Sequence, residues 1–156
     1  MNENERLAAI EDIKALRARF ARCMDTKQWV AMHDTISNDC VFDARMEGVV
    51  DDLWIGAEDI VANIRRNLET AVSVHHAHMP EIEITSPTTA RALWSFNNRG
   101  ALGHYQDEYA LGDDGWRISA MTMTWIHPPS KRLLAERRGQ FSPVADLWKT
   151  LAARFG

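Results

Sequence analysis

The sequence lacks the long apolar and basic runs that indicate a membrane or a nucleic acid as partner. No apolar stretch reaches the roughly 18 residues needed to cross a bilayer. Lysine and arginine number 18 against 22 aspartates and glutamates, so the net charge is −4. The basic residues form only short pairs such as Arg65-Arg66 and Arg137-Arg138. We therefore expect neither nucleic-acid binding nor a membrane-surface role.

Cysteine and nucleotide-binding motifs are also scarce. The chain has two cysteines, Cys23 and Cys40, and at 156 residues it is long enough to build a full core without disulfides. The first residues are polar and acidic, unlike a secretory leader. These features predict a reduced, cytoplasmic protein. Because no Gly-rich phosphate loop, Walker motif or nucleophile elbow is present, we expect neither phosphoryl transfer nor serine hydrolysis.

The first half of the chain has the apolar spacing of helices. One stripe with a period of three to four residues runs from about residue 4 to 24. A second, shorter helix is indicated by Trp29, Met32, His33 and Ile36. Residues 39–43 are typical of a turn entering a strand. A third helix is predicted to start at Gly56-Ala57-Glu58-Asp59, where the two acids suit the positive end of the helix dipole.

In the second half the period changes to two, which is typical of strands. Turn residues separate the runs at 86–88, 97–100 and 113–115, and the last of these has the Asp-Gly pair of a tight hairpin. A helix is predicted again after about Ser130, with an apolar stripe of Val144, Leu147, Trp148 and Leu151. The sequence therefore predicts one α+β domain over residues 1–156, with helices packed on a curved, mostly antiparallel sheet around a cone-shaped cavity.

Asp25 and the segment His75-His76-Ala77-His78 carry the clearest chemical signal. An acid and a histidine from separate elements can form a general-base pair, although an Asp after a helix is also a common capping residue. His76 is expected on the opposite strand face from His75, in a structural or exposed position. Two of the imidazoles and His104 offer nitrogen ligands for zinc, but no cysteine or spaced carboxylate completes the pattern, so we predict no metal site.

Four segments in this order resemble the SnoaL-like branch of the nuclear transport factor 2-like superfamily: Phe20-Ala21-Arg22-Cys23-Met24-Asp25, Ser73-Val74-His75-His76, Gly103-His104-Tyr105-Gln106-Asp107-Glu108-Tyr109 and Asp114-Gly115-Trp116-Arg117-Ile118. The resemblance covers about residues 7–127 and leaves the helical tail 130–156 outside. It implies a cone-shaped α+β barrel, and a site in which Asp25 and His75 remove a carbon-bound proton without a metal or organic cofactor.

The same resemblance suggests which residue assists the leaving group. Tyr105, on a pocket-directed strand, is the candidate donor. Some dehydratases of the family carry a tyrosine five residues before the Asp, where this chain has Phe20. Either Tyr105 serves alone or the protein carries out a different reaction.

Aromatic and methionine side chains are predicted to form the substrate-binding wall. The candidates are Phe20, Trp54, Trp94, Met121, Met123 and Trp125, although side chains of this kind more often belong to the core. Alternation puts Met121, Met123 and Trp125 on one strand face with Arg117 and Ser119. Such a cavity would suit a hydrophobic, cyclic small molecule of polyketide, steroid-like or aromatic type. The apolar open face of the sheet predicts a homodimer or homotrimer.

Three classes of function fit this pattern. The first is a cofactor-free lyase or isomerase, dehydratase-like, that uses Asp25 and His75. The second is the small subunit of a ring-hydroxylating dioxygenase, which shares the fold. The third is a hydrophobic-ligand-binding protein without catalysis. The decisive observation is whether Asp25 and His75 meet inside a solvent-poor cavity.

Overall fold

A computed structural model describes residues 1–46, 51–98 and 100–127 of the chain. Within these ranges the helices are α1 (Glu3–Asp25), α2 (Trp29–His33) and α3 (Ala57–Leu68). The strands are β1 (Ile36–Asp43), β2 (Leu53–Ile55), β3 (His75–Ser86), β4 (Thr89–Asn98), β5 (Ala101–Gly112) and β6 (Gly115–His127). The predicted α+β class is confirmed.

The strands form a single six-stranded sheet in the order β2-β1-β6-β5-β4-β3. All neighbours are antiparallel except β1 and β6, which run parallel. The sheet is curved but does not close into a barrel, because β2 and β3 lie at opposite edges. The predicted Asp-Gly hairpin joins β5 to β6, where Gly112 pairs with Gly115 and Gly115 takes a φ of 106°.

Helix α1 begins at a capping box, in which Asn2 and Glu5 each bond the backbone N–H of the other. Its apolar face, which includes Ile13, Leu16 and Phe20, is buried in one core with the inner face of the sheet. None of the helices described here is both long and apolar enough to cross a membrane. The helix ends at Asp25, which brings that carboxylate to the start of β3.

A β-bulge in β6 corrects one expectation about side-chain direction. Glu108 pairs with Ala120 but Tyr109 pairs with Ile118, so Ser119 is an extra residue in the strand. The extra residue reverses the alternation between the two faces. Met121 and Trp125 are therefore buried, whereas Arg117, on the far side of the bulge, does not share their face and instead forms an ion pair of 3.6 Å with Asp114.

One further prediction is wrong, one strand was missed, and one prediction is not tested. Ile36 belongs to β1 rather than to the second helix, which ends at His33. The short edge strand β2 was not predicted, since three residues are too few to show a period. The predicted C-terminal helix and its apolar stripe lie outside the described residues.

Candidate active site

The carboxylate of Asp25 and the imidazole of His75 are in direct contact, although 50 residues separate them in the chain. His75 Nδ1 lies 2.5 Å from Asp25 Oδ1, and the backbone N–H of His75 donates to Asp25 Oδ2 at 2.8 Å. The last turn of α1 supplies the acid and the first residue of β3 supplies the base. The two side chains are largely shielded, with 8% of His75 and 18% of Asp25 exposed.

Ser73 and Lys27 extend this pair into a chain of hydrogen bonds. The Ser73 hydroxyl donates to Asp25 Oδ1 at 3.1 Å, and the Lys27 ammonium donates to Ser73 Oγ at 3.2 Å. Lys27 has a φ of 62°, a left-handed conformation that is unfavourable for a residue with a side chain. The Asp25 carboxylate thus accepts three hydrogen bonds, from the Ser73 hydroxyl, the His75 backbone N–H and the His75 imidazole Nδ1–H. These bonds fix the orientation of the carboxylate against His75.

The surroundings keep His75 neutral near pH 7. Burial lowers its pKa from the ordinary value of 6.5, and the positive charges of Arg17 and Lys27 lower it further, while Asp25 opposes the shift. A carboxylate only accepts hydrogen bonds, so the neutral imidazole carries its hydrogen on Nδ1. The lone pair that can take up a proton is therefore on Nε2.

His75 forms part of the wall of a cavity between the helices and the sheet, with a volume of about 120 Å³. Tyr105 and four predicted substrate-binding residues line the same cavity: Phe20, Trp54, Met123 and Trp125. Asp25 does not line it and contacts His75 from behind. The structure thus brings the three predicted catalytic residues to one place, with His75 and Tyr105 at the cavity and Asp25 next to it.

Two predicted wall residues lie elsewhere. Met121 is fully buried in the core, with its sulfur 4.0 Å from Arg17 Nη1. Trp94 is also buried and donates its indole N–H to the Tyr109 hydroxyl at 2.9 Å. Neither side chain lines the cavity, and both belong to the buried core that the helices share with the sheet. We therefore remove both from the candidate site.

A buried ion pair lies under Tyr105. Arg17 Nε is 3.0 Å from Asp107 Oδ2, and the guanidinium carbon lies 4.2 Å from the centre of the Tyr105 ring. Asp107 also accepts a hydrogen bond from Tyr109 at 2.9 Å. Burial raises the pKa of the Tyr105 hydroxyl, against the opposing effect of Arg17, so this group stays protonated and able to donate.

Aromatic packing fixes the ring of Tyr105. Phe96 lies 4.5 Å from it, centre to centre, and 5.7 Å from Trp125 in an edge-on arrangement. Gly103 makes room for this packing, since a Cβ there would lie 2.8 Å from the Phe96 ring and 2.0 Å from the carbonyl oxygen of Thr124. A residue without a side chain is required at this position.

Sequence reasoning missed several wall residues. Phe42 stacks on Trp54 at 5.0 Å with an interplanar angle of 10°. The missed side chains are Met24, Phe42, Ala44, Asp52, Ile64, Asn67, Leu68, Asn98 and Ala101. Most are apolar and carry no signal that separates wall from core. Asn98 is polar and lies in the turn predicted at residues 97–100, and no prediction placed that turn beside His75.

The histidines near His75 do not assemble into a metal site. His76 and His78 are exposed, and His104 is half-buried on the strand face opposite Tyr105. Across the described parts of the chain, no three His, Cys, Asp or Glu side chains are grouped so that they could hold a metal ion.

Comparison with known proteins identifies the family. Residues 5–122, which include Asp25, His75 and Tyr105, match the SnoaL-like domain. The chain belongs to the SnoaL-like domain family. This assignment agrees with the helices, the curved sheet and the cavity described above.

Solved structures share this SnoaL-like fold at low sequence identity. A candidate scytalone dehydratase from Novosphingobium aromaticivorans superposes with a TM-score of 0.72 at 13% identity, over 81% of this chain and 89% of that one. A hexachlorocyclohexane dehydrochlorinase from Novosphingobium barchaimii gives 0.70 at 16% identity, over 81% and 92%. A candidate aromatic ring hydroxylase from N. aromaticivorans gives 0.69 at 20% identity, over 80% and 97%. At these identities the matches establish the shared fold.

Proposed function

We propose that this SnoaL-like protein is a cofactor-independent lyase or isomerase that removes a carbon-bound proton from a hydrophobic, cyclic small molecule. The observation that carries the proposal is the His75 imidazole, which is bound by Asp25 and forms part of the wall of an apolar cavity. A neutral imidazole held in one tautomer by a carboxylate is suited to act as a general base near neutral pH. The names of the dehydratase and dehydrochlorinase neighbours are consistent with such chemistry.

The proposed reaction begins at Nε2 of His75. Nε2 takes the proton, and the electron pair of the C–H bond moves into a new C=C bond. Asp25 stabilises the imidazolium that forms, because its carboxylate accepts the Nδ1–H bond throughout. In an elimination the bond to the leaving group breaks and its electron pair departs with that group, while Tyr105 donates a proton or a hydrogen bond. In an isomerisation the proton returns at a different carbon.

The cavity supports a small, largely apolar substrate. Aromatic rings form much of its wall, including Phe20, Trp54 and Trp125. A cavity of about 120 Å³ is comparable to the roughly 150 Å³ engineered cavity that holds benzene, so a single substituted ring fits without rearrangement. The cavity is partly open to solvent, so the second ring of a fused bicycle can extend from its mouth.

The test uses a nitrobenzisoxazole, an aromatic bicycle whose ring opens when a base removes a carbon-bound proton. Turnover by the wild-type protein should fall by about 10²–10⁴-fold in His75→Gln, the range of general-base catalysis. His76→Gln is the matched control, since His76 is the next residue and its side chain is exposed. Equal turnover in wild type and His75→Gln would refute the proposal.

Binding without catalysis is the second candidate, and the same apolar cavity favours it. In that case aromatic ligands would bind and quench the fluorescence of Trp54 and Trp125, but no compound with an acidic C–H bond would turn over. A screen of cyclic alcohols and cyclic halides, followed by hydrogen–deuterium exchange at the substrate carbon, separates the two functions. Exchange that depends on His75 supports the enzyme.

A further inference from the structure

Lys27 occupies a backbone position that usually belongs to glycine. Helix α1 ends in a Schellman motif, in which the N–H of Gln28 donates to the carbonyl of Cys23 at 2.8 Å and the N–H of Lys27 donates to that of Met24 at 3.3 Å. The motif needs a left-handed residue just after the cap, and Lys27 takes this conformation with a φ of 62°. A Cβ there crowds the backbone, whereas glycine has none. The turn alone therefore does not account for a lysine.

The Lys27 side chain reaches across to the start of β3. Its ammonium donates to Ser73 Oγ at 3.2 Å and lies 5.8 Å from the centre of the Trp29 ring. Lys27 is half-buried and Ser73 is only 7% exposed, so this hydrogen bond is partly shielded from water. Holding a long side chain in one place costs conformational entropy in addition to the backbone strain. Strain of this kind, next to the Asp25–His75 pair, points to a functional role for the ammonium.

The bond from Lys27 determines where the hydrogen of the Ser73 hydroxyl goes. A serine hydroxyl has one hydrogen and two lone pairs. Because Ser73 Oγ accepts from the ammonium, its hydrogen is left for Asp25 Oδ1, which lies 3.1 Å away and also contacts His75 Nδ1. A hydroxyl that accepts from a cation becomes a stronger donor. Lys27 does not line the cavity, so it acts on the base only through these neighbours and through its charge.

We propose that Lys27 is a positioning residue, whose ammonium directs the Ser73 hydroxyl onto Asp25 and so holds the Asp25 carboxylate against the His75 imidazole. This inference rests on the proposed proton abstraction by His75 and adds a residue that supports it from outside the cavity. A loosely held carboxylate would let the imidazole rotate or change tautomer, and the lone pair on Nε2 would then be lost to the substrate. The strained turn places the ammonium within reach of Ser73.

The charge of Lys27 gives the proposal a second readout. Burial is the main reason that the pKa of His75 is lowered, and the charge of Lys27 contributes in the same direction. The other charged or titratable side chains that act on the imidazole or line its cavity are Asp25, Arg17, Tyr105 and Asp52. All of these stay in place when Lys27 alone is replaced. Removal of the ammonium should therefore raise the pKa of His75.

Three substitutions separate the ammonium of Lys27 from its backbone conformation. Lys27→Met keeps an unbranched side chain and the strained turn but removes the donor. Lys27→Arg keeps both a donor and the strained turn. Lys27→Gly relaxes the turn and removes the donor. The matched control is Lys14→Met, since Lys14 is a lysine on α1 whose partly exposed side chain pairs with Glu11 at 2.7 Å.

Turnover of the nitrobenzisoxazole is the first measurement. Lys27→Met and Lys27→Gly should each lower kcat about fivefold with little change in KM, as expected when one hydrogen bond is lost outside the cavity. The acid limb of their pH profiles should move to higher pH. Lys27→Arg should restore most of the turnover, and Lys14→Met should match the wild type. A Lys27→Gly protein as active as wild type would show that only the turn matters and would overturn the inference.

A double variant tests whether Lys27 acts through Ser73. In a Ser73→Ala background, Lys27→Met has no hydroxyl left to orient. The double variant should therefore lose about fivefold in kcat, like either single variant, rather than the product of about 25-fold. Losses that multiply would mean that the two residues act independently, which contradicts the proposed chain of contacts.

Exchange of the His75 Nδ1 proton with water, followed by NMR, tests the inference without turnover. This proton should exchange about fivefold faster in Lys27→Met and in Ser73→Ala, because Asp25 holds it less firmly. Faster exchange in a protein that turns over no substrate would support the role of Lys27 and refute the lyase. Turnover that depends on His75, with exchange and kcat unchanged in Lys27→Met, would support the lyase and refute the role of Lys27.

Discussion

Replacing Asp25 by asparagine is the most informative single change, because three donors converge on this carboxylate. The imidazole Nδ1–H and the backbone N–H of His75 bond its two oxygens, and the hydroxyl of Ser73 bonds one of them as well. An asparagine has one acceptor oxygen, and its NH₂ group only donates. Either a donor then faces the NH₂ group in this shielded region, or the imidazole changes tautomer and loses the free lone pair on Nε2.

The magnitude follows from the bonds that are lost. A hydrogen bond to a charged group contributes about 1.5–3 kcal/mol, and a buried donor left without an acceptor costs about 1–3 kcal/mol. We expect Asp25→Asn to lower the free energy of unfolding by about 2–4 kcal/mol. Turnover should fall by two orders of magnitude or more, as when a triad loses its acid (about 10⁴-fold). The pKa of His75 should fall further, since Asp25 is the group that raises it.

The assays are urea denaturation at pH 7 and NMR titration of the His75 ring. Asp34→Asn is the matched control, because His33 Nδ1 lies 3.9 Å from Asp34 Oδ1 in an equivalent but exposed pair. The control should change stability by less than about 0.5 kcal/mol. An Asp25→Asn protein as stable as wild type, with an unshifted His75 titration, would refute the reasoning.

Further predictions concern pH, the supporting network and assembly. The ratio kcat/KM for proton abstraction should fall at acid pH with an inflection below 6.5, because the pKa of His75 is lowered. Urea denaturation should show that the stability linked to this residue is fully present above pH 6.5 and is lost as pH falls towards its folded-state pKa. Ser73→Ala should reduce turnover of the nitrobenzisoxazole about fivefold in steady-state kinetics, the equivalent of one hydrogen bond of about 1 kcal/mol. Arg17→Met should lower the free energy of unfolding by about 3–5 kcal/mol, since it leaves Asp107 buried without a countercharge. Burial already raises the pKa of Asp107, so denaturation curves of that variant should show a deficit that grows as pH rises from the ordinary pKa of 3.8 towards the raised folded-state pKa. Light scattering at micromolar concentration should detect a dimer or trimer, and a monomer would contradict the association expected from the exposed apolar side chains of β1 and β2.

The network beneath Tyr105 shows how the core supports the site. A buried ion pair is expensive to desolvate, and an apolar replacement of both partners is often equally stable. Here Arg17 contacts Tyr105 and pairs with Asp107, and the Tyr109 hydroxyl donates to Asp107. We infer that the pair positions the Tyr105 ring and keeps a positive charge near the hydroxyl.

Local patterns in the sequence determined the elements of this protein. The apolar stripe of α1, the alternation of β4 and the Asp-Gly turn before β6 depend on neighbours within a few residues, so they could be predicted without knowing the fold. The resemblance of four ordered segments added the pairing of Asp25 with His75, which no local period contains.

The tertiary structure alone decided which side chains face the cavity. The bulge at Ser119 reverses the alternation of β6, and Trp94 and Met121 are buried in the core away from the cavity while Trp125 reaches its wall. Strand register places Asn98 directly opposite His75, although 23 residues separate them in the sequence. The sequence shows which residues are apolar, and its periodicity indicates that a strand alternates between two faces. Register, bulges and curvature arise from contacts between distant segments, and those contacts set the direction of each side chain.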